Sequence, residues 1–214
     1  MRQLLKTVKE KLAAKYLKND PLKRSFKSKK KFKPRIKARI RKNKQIISRN
    51  IEDLFGWIKG AELVELNECN TDEDPVRPEL SNSFRTSYGR KIHGVKYKGE
   101  IHAVMCFAFT NEIPKSVEEL DRLSQDAHLQ STLRGQNVGK IAIAYTVWSK
   151  KKGGGKLIVK EVFKKIKKSN HLNRLITLSP LTKMASKFHS KNGAKLLQVN
   201  ETTQNFEYQV EKKQ

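Results

Sequence analysis

The stretch from residue 140 to 168 constrains this chain most, because an apolar run, a glycine loop and an amphipathic segment follow one another without a break. Lys140–Trp148 (Lys-Ile-Ala-Ile-Ala-Tyr-Thr-Val-Trp) is apolar and β-prone and predicts a strand. Lys150-Lys151-Lys152-Gly153-Gly154-Gly155 ends it. Beyond the glycines, Leu157, Ile158, Val162, Phe163 and Ile166 mark one helix face, opposite Lys160, Lys164, Lys165 and Lys168. A helix entered through glycines turns unpaired backbone N–H groups outward at its first turn, where the helix dipole also favours negative charge. That makes the loop a candidate diphosphate site. Glycines let a phosphate approach the backbone closely and supply the positive φ such loops need, while Lys150, Lys151, Lys152 and Lys156 add long-range attraction. Two nucleotide motifs are excluded. A Walker A loop needs Ser or Thr after Gly-Lys, and Leu157 follows Gly155-Lys156. A dinucleotide fingerprint needs a third glycine and a later acidic residue, and neither is present.

The rest of the chain supplies elements around this unit. Ile46 to Leu66 carries apolar residues at roughly helical spacing and starts the globular domain. Asn67–Asn82, with Asp72, Asp74, Pro75 and Pro78, reads as a surface loop. Lys91–Lys98 and Ile101–Phe109 read as a hairpin turning at Gly99-Glu100. Ser116-Val117-Glu118-Glu119 has the capping-box form and predicts a short helix through Leu123. Leu175–Leu178 is a short strand, Thr182–Lys191 a helix ended by Gly193, and Lys195–Val199 with Asn205–Val210 a closing strand pair that carries Tyr208.

Charge divides the chain unevenly. Residues 1–50 hold 20 Lys and Arg against Glu10 and Asp20, a local net charge of +18 within a total of +26. After a basic amphipathic helix over Leu4–Leu17, isolated Phe26, Phe32, Ile36 and Ile40 are too sparse to bury a core, so residues 1–45 read as a basic arm. Its expected partner is nucleic acid or a ribonucleoprotein, bound in a salt-dependent way; a solubilising tail is the plainer alternative. No run of about 18 apolar residues exists, so no membrane span is expected, and Lys6, Lys9, Glu10, Lys11 and Lys15 interrupt any secretory signal. Cys69 and Cys106 cannot build a disulfide framework and, like the scattered His93, His102, His128 and His171, lack metal-ligand spacing, so no metal is expected. A reducing, cytoplasmic compartment fits, which is the host cytoplasm if the chain is phage-encoded.

Two motifs in register carry a resemblance. Lys150-x-x-Gly153-x-Gly155 is similar to the Gln/Arg-x-x-Gly-x-Gly/Ala loop of GNAT-type N-acyltransferases. Thr182-x-x-Ala185-x-x-Phe188-His189-x-Lys191-x-Gly193-Ala194 keeps the spacing of that family's Asn-x-x-Ala-x-x-Phe-Tyr-x-Lys-x-Gly-Phe segment. The resemblance covers about residues 90–210. It implies an α/β (α+β) domain over 46–214, with a mixed, mostly antiparallel central sheet flanked by helices. It also implies an acetyl-CoA (acyl-CoA) cosubstrate held by Trp148, Lys150, Lys151, Lys152, Gly153, Gly154, Gly155, Lys156, Ser179 and Phe188. His189 stands where many members have the tyrosine that protonates the departing thiolate, and histidine can give or take a proton near neutral pH. Tyr145 is the second catalytic candidate, as holder of a water, with Glu100 and Glu207 as other possible bases. Thr182 and His189 both depart from the pattern. Two readings follow: an acyl-CoA dependent N-acyltransferase with a nucleic-acid-seeking arm, or a non-catalytic structural or nucleic-acid-binding protein, such as a virion or nucleoid component, on a degenerate scaffold of this type.

Overall fold

The computed structural model describes residues 56–135 and 139–209. The expected arm over residues 1–45, with its helix over Leu4–Leu17, lies outside them. Eight strands make one sheet: β1 (Glu62–Leu66), β2 (Lys91–Tyr97), β3 (Glu100–Thr110), β4 (Ile141–Ser149), β5 (Arg174–Thr177), β6 (Ser179–Pro180), β7 (Lys195–Val199) and β8 (Thr203–Tyr208). Their order is β1-β2-β3-β4-β5-β8-β6, with β7 paired to β8. Only β4 and β5 run parallel. The helices are α1 (Asn82–Thr86), α2 (Val117–Arg134), α3 (Gly154–Lys167) and α4 (Lys183–Lys191). This is the mixed, mostly antiparallel sheet with flanking helices that the sequence leads one to expect. Among the described residues no helix is long and apolar enough to cross a membrane.

Each sheet face has its own core. Leu157, Ile158, Val162 and Ile166 of α3 pack on Val95, Met105, Phe107, Ala142 and Leu175. On the other face Leu120 of α2 joins Ile92, Val104, Cys106, Ile143 and Ile176. The β2–β3 hairpin turns through Lys98 (φ 51°) and Gly99 (φ 86°), two left-handed residues whose twist matches that of the strands they join.

Three expectations change. Residues 56–60 are helical, but Glu62–Leu66 is a strand paired with β2; pairing with a distant partner outweighs a local period in so short a segment. Helix α2 does not stop at Leu123 but runs to Arg134, where Gly135 ends it in the left-handed region. Leu120, Leu123 and Ala127 are all buried, so the face that nucleates the helix continues past its expected end. Ser116 accepts from the Glu119 amide as predicted, but the Glu119 carboxylate accepts from Lys115 N rather than from Ser116.

The third change concerns Asn67–Asn82, which is not merely a surface loop. Asp74 is 1% exposed and forms an ion pair of 2.9 Å with Arg85, which is fully buried. Asp74 Oδ1 also accepts from the amides of Val76 and Arg77 and from Thr146 Oγ1 on β4. Arg85 in turn donates to the carbonyls of Leu80 and Arg77. The pair staples this loop to the middle of β4. Losing one partner strands the other charge in the core. Arg85→Met or Asp74→Asn alone is therefore expected to cost about 3–5 kcal/mol in urea unfolding. The double variant should lose less than the sum of the two; strict additivity would show that the groups do not interact.

Candidate functional site

The site begins with an extra residue. Cys106 pairs with Thr146 and Phe107 with Ala144, so Tyr145 has no partner in β3 and forms a bulge. A bulge bends its strand and sharpens the twist. The parallel pairing of β4 with β5 ends here: Ala144 opposite Thr177 is the last pair, followed by a Leu178 N–H bond to the Ala144 carbonyl at 2.8 Å. Beyond that point the strands part, and a cleft of ≈ 750 Å³ lies along both of them, the glycine loop and α4.

Parting strands leave carbonyls without partners, and Arg77 takes two of them. Its Nε donates to Tyr145 O at 3.0 Å and its Nη2 to Leu178 O at 3.3 Å, so one guanidinium spans the apex from β4 to the end of β5. Arg77 is 8% exposed, and burial lowers its pKa from the usual guanidinium value, with Glu79 and Asp74 opposing. The loop that carries it also lays Pro75 and Val76 along the cleft.

At the mouth, Gly153 caps α3 with φ 86° and no side-chain cap bond. Gly154 N donates back to Lys151 O, and Leu157 N starts the helical ladder on Gly153 O. The amides of Gly155 and Lys156 remain as first-turn donors without a backbone acceptor among the described residues. A Cβ on Gly154 would run into Ser149 and Ala103, and one on Gly155 would come within 3.2 Å of Phe188. These glycines let α3 approach β4 and α4 closely. Lys151, Lys156 and Lys191 line the cleft, and among the described residues no acidic one does, so its field favours anions.

His189 lies deep in the cleft at 5% exposure. Its Nε2 is 2.8 Å from Ser179 Oγ and its Nδ1 3.0 Å from the Tyr208 hydroxyl. Ser179 donates onward to Thr177 Oγ1, which also accepts from Phe206 N. If the Ser179 proton points to Thr177, Ser179 accepts from Nε2–H, and Nδ1 accepts from Tyr208. Burial lowers the imidazole to about 4 and raises the Tyr208 phenol above its ordinary value. His189 is therefore neutral at pH 7 and does not act there as an imidazolium.

The other residues singled out from the sequence are distributed unevenly. Trp148, Lys151, Gly153, Gly155, Lys156, Ser179 and Phe188 line the cleft with His189. Lys150 turns away and pairs with Glu73 at 2.7 Å, Lys152 is exposed, and Gly154 is buried behind the loop. Trp148 is buried in the opposite core, with the Arg85 guanidinium 5.5 Å above its ring. Tyr145 lines the cleft at the bulge, but its hydroxyl is buried without a hydrogen-bond partner among the described residues and its ring packs against Phe84. Burial raises that phenol well above its ordinary value. Glu100 is exposed in the hairpin and Glu207 pairs with Arg174; neither lines the cleft. The sequence reading missed Asp74, Arg77, Arg85 and Thr177. One signal was available: Arg77, Arg85 and Arg90 are three of six arginines after residue 50, in a chain that otherwise uses lysine there, and arginine is the residue suited to buried, multi-donor roles.

This architecture is shared with known structures. A GNAT-like decarboxylase, GphF, solved with isobutyryl-CoA, matches 70% of this chain and 99% of its own at TM-score 0.53 and 10% identity. The loading GNATL domain of CurA from Lyngbya majuscula matches 72% of this chain and 99% of its own, at TM-score 0.52 and 8% identity. The chain has the GNAT fold. Malonyl-CoA decarboxylase from Cupriavidus metallidurans aligns over 66% of this chain at 21% identity and TM-score 0.41, and the chain spans 37% of that protein's length. No protein-family profile matches the sequence, and neither does any curated protein.

The buried imidazoles make stability depend on pH. His93 on β2 is 1% exposed and, like His189, is lowered to about 4 by burial, with Lys165 adding to the effect. Because both folded values lie below the unfolded value of about 6.5, the unfolded chain takes up protons first as pH falls. The stabilisation is complete above about pH 6.5 and is lost between there and about pH 4. Lowering pH from about 7.5 to about 5 should cost about 1–2 kcal/mol per histidine in urea unfolding, and His189→Gln should remove its share. A stability that does not change over that range would place both imidazoles in solvent.

Proposed function

We propose that the cleft holds an acyl-CoA and that the chain is an acyl-CoA dependent N-acyltransferase. The observation that carries this reading is the uncapped N-terminus of α3, which opens at the mouth of the gap between β4 and β5. The amides of Gly155 and Lys156, with Lys151 and Lys156, suit a diphosphate, and the apolar gap beyond suits a narrow, neutral arm. Bound acyl-CoA supplies an activated acyl group. Ser179 can give a proton at the inner end, and His189, with Nδ1 accepting from Tyr208, is held in the neutral tautomer whose Nε2–H orients that hydroxyl and stabilises it as its proton leaves.

A second reading is favoured by Arg77. Its guanidinium closes the apex of the gap, and among the described residues no carboxylate lines the cleft to deprotonate an amine. Decarboxylation of an acyl-CoA that carries a free carboxylate needs neither a second substrate nor such a base. The bond to the carboxylate breaks, its electrons pass to the neighbouring carbon, and that carbon takes one proton, which Ser179 can give. GphF is itself described as a decarboxylase.

One set of measurements separates these. Calorimetric titration with acetyl-CoA should show binding, and Gly153→Glu, which puts bulk and negative charge at the cap, should abolish it while the far-ultraviolet circular dichroism is kept. No binding at millimolar ligand would sink both readings. Incubation with acetyl-CoA and a panel of amines, and separately with malonyl-CoA, followed by mass spectrometry, assigns the chemistry: an acetylated amine supports transfer, whereas acetyl-CoA made from malonyl-CoA supports decarboxylation.

We further propose that residues 1–45 bind nucleic acid, on the strength of their charge. A variant beginning near Ile46 should lose most of the affinity of the full chain for DNA and RNA, together with the steep salt dependence. Equal affinity and equal slope would remove the arm from the function.

A further inference from the structure

The only two cysteines of the chain, far apart in sequence, meet beside the staple that shapes the cleft wall. Cys106 is fully buried on β3, and its sulfur accepts from Arg85 Nη1 at 3.4 Å. Cys69 is half-buried and lines a second cavity of ≈ 470 Å³, which opens a route for a small solute. Asn82 fixes Cys69 from both sides: its Oδ1 accepts from Cys69 N at 2.9 Å, its Nδ2 donates to Cys69 O at 2.9 Å, and the thiol lies 3.5 Å from the same Oδ1. Cys69 packs against the core cluster that contains Cys106, and their partners Asn82 and Arg85 stand one turn apart on α1.

We propose that Cys69 and Cys106 form a reversible disulfide switch that acts on the wall of the cleft. Cys69 is the sulfur that reacts first, because it faces the cavity and because Cys106 and the Arg85 guanidinium lower its pKa, whereas burial raises that of Cys106. With hydrogen peroxide as oxidant, the Cys69 thiolate attacks one peroxide oxygen. The O–O bond breaks, hydroxide leaves and is protonated to water, and Cys69 becomes a sulfenic acid. The Cys106 sulfur then displaces the sulfenic hydroxyl, and its proton leaves with that oxygen as a second water. The sulfurs together lose two electrons and the peroxide gains two. A dithiol reductant reverses the step by exchange.

Arg85 makes this more than a local event. The guanidinium that donates to Cys106 also holds Asp74 and the Arg77 carbonyl, and the loop between them places Pro75 and Val76 on the cleft and Arg77 across its apex. Turning Cys106 Sγ into a bond with Cys69 withdraws an acceptor from Arg85 and loosens the loop that Arg85 and Asp74 anchor.

The test uses the full chain, treated with hydrogen peroxide and then unfolded in iodoacetamide. The expected product is an unalkylated monomer lacking two hydrogens, which yields one cross-linked peptide with Cys69 and Cys106 and is restored by dithiothreitol. Cys69→Ser should leave Cys106 fully alkylated after the same treatment. Two free thiols, a Cys69 sulfinic acid beside a free Cys106, or a disulfide between chains would each overturn the pairing. The coupling is read without any ligand, so it stands or falls separately from the function proposed above. Amide exchange over residues 74–80 should speed up about fivefold or more in the oxidised form, the lower end of usual coupling between sites. Unchanged exchange there would overturn the switch.

Discussion

Past Ala144 and Thr177 two parallel strands stop bonding to one another, and everything distinctive about this domain answers that loss. Backbone groups inside a protein must find partners. On one side of the break the bulge at Tyr145 lets β4 bend away while keeping its bonds to β3. On the other side Arg77 takes the carbonyls of Tyr145 and Leu178. A buried arginine needs a rigid support, and the Asp74–Arg85 pair, bonded to Thr146 on the same strand, provides it. The cleft is the space that remains once those backbone demands are met.

The same burial sets the chemistry at the inner end. A histidine in solvent would be a ready acid near neutral pH, but His189 is held neutral with both ring nitrogens engaged. What lies there is a chain of neutral hydroxyls joined by one imidazole. At the mouth the logic is reversed: open helix amides and lysines face outward and favour negative charge. The cleft is thus lined by lysines and open amides at its entrance and by neutral hydroxyls and an imidazole farther in, with the Arg77 guanidinium at its apex.

Much of this was legible in the residues. The apolar run of β4, the glycines at 153–155 and the amphipathic face of α3 follow local rules of period, cap and positive φ, and the structure has them where those rules put them. The hairpin and the helix after Thr182 were readable for the same reason, although the turn falls at Lys98-Gly99 rather than the expected Gly99-Glu100 and Thr182 caps the helix rather than starting it. Leu63 and Leu66 read as helical because five residues cannot distinguish one period from another; only the pairing with β2 decides. Asp74 read as a loop residue because acidic side chains usually are exposed, and Arg85 drew no reading because a lone basic residue carries no local pattern.

The sequence by itself determined the strand, glycine loop and helix of residues 140–168, and that the positive charge concentrates in residues 1–50. Those properties depend on neighbours a few positions away. Only the tertiary structure decided that β4 and β5 part, that one arginine closes their apex, that His189 loses its charge, and that the two cysteines meet. Each of these depends on groups brought together from distant parts of the chain and on the exclusion of water around them, and no local pattern of residues encodes either.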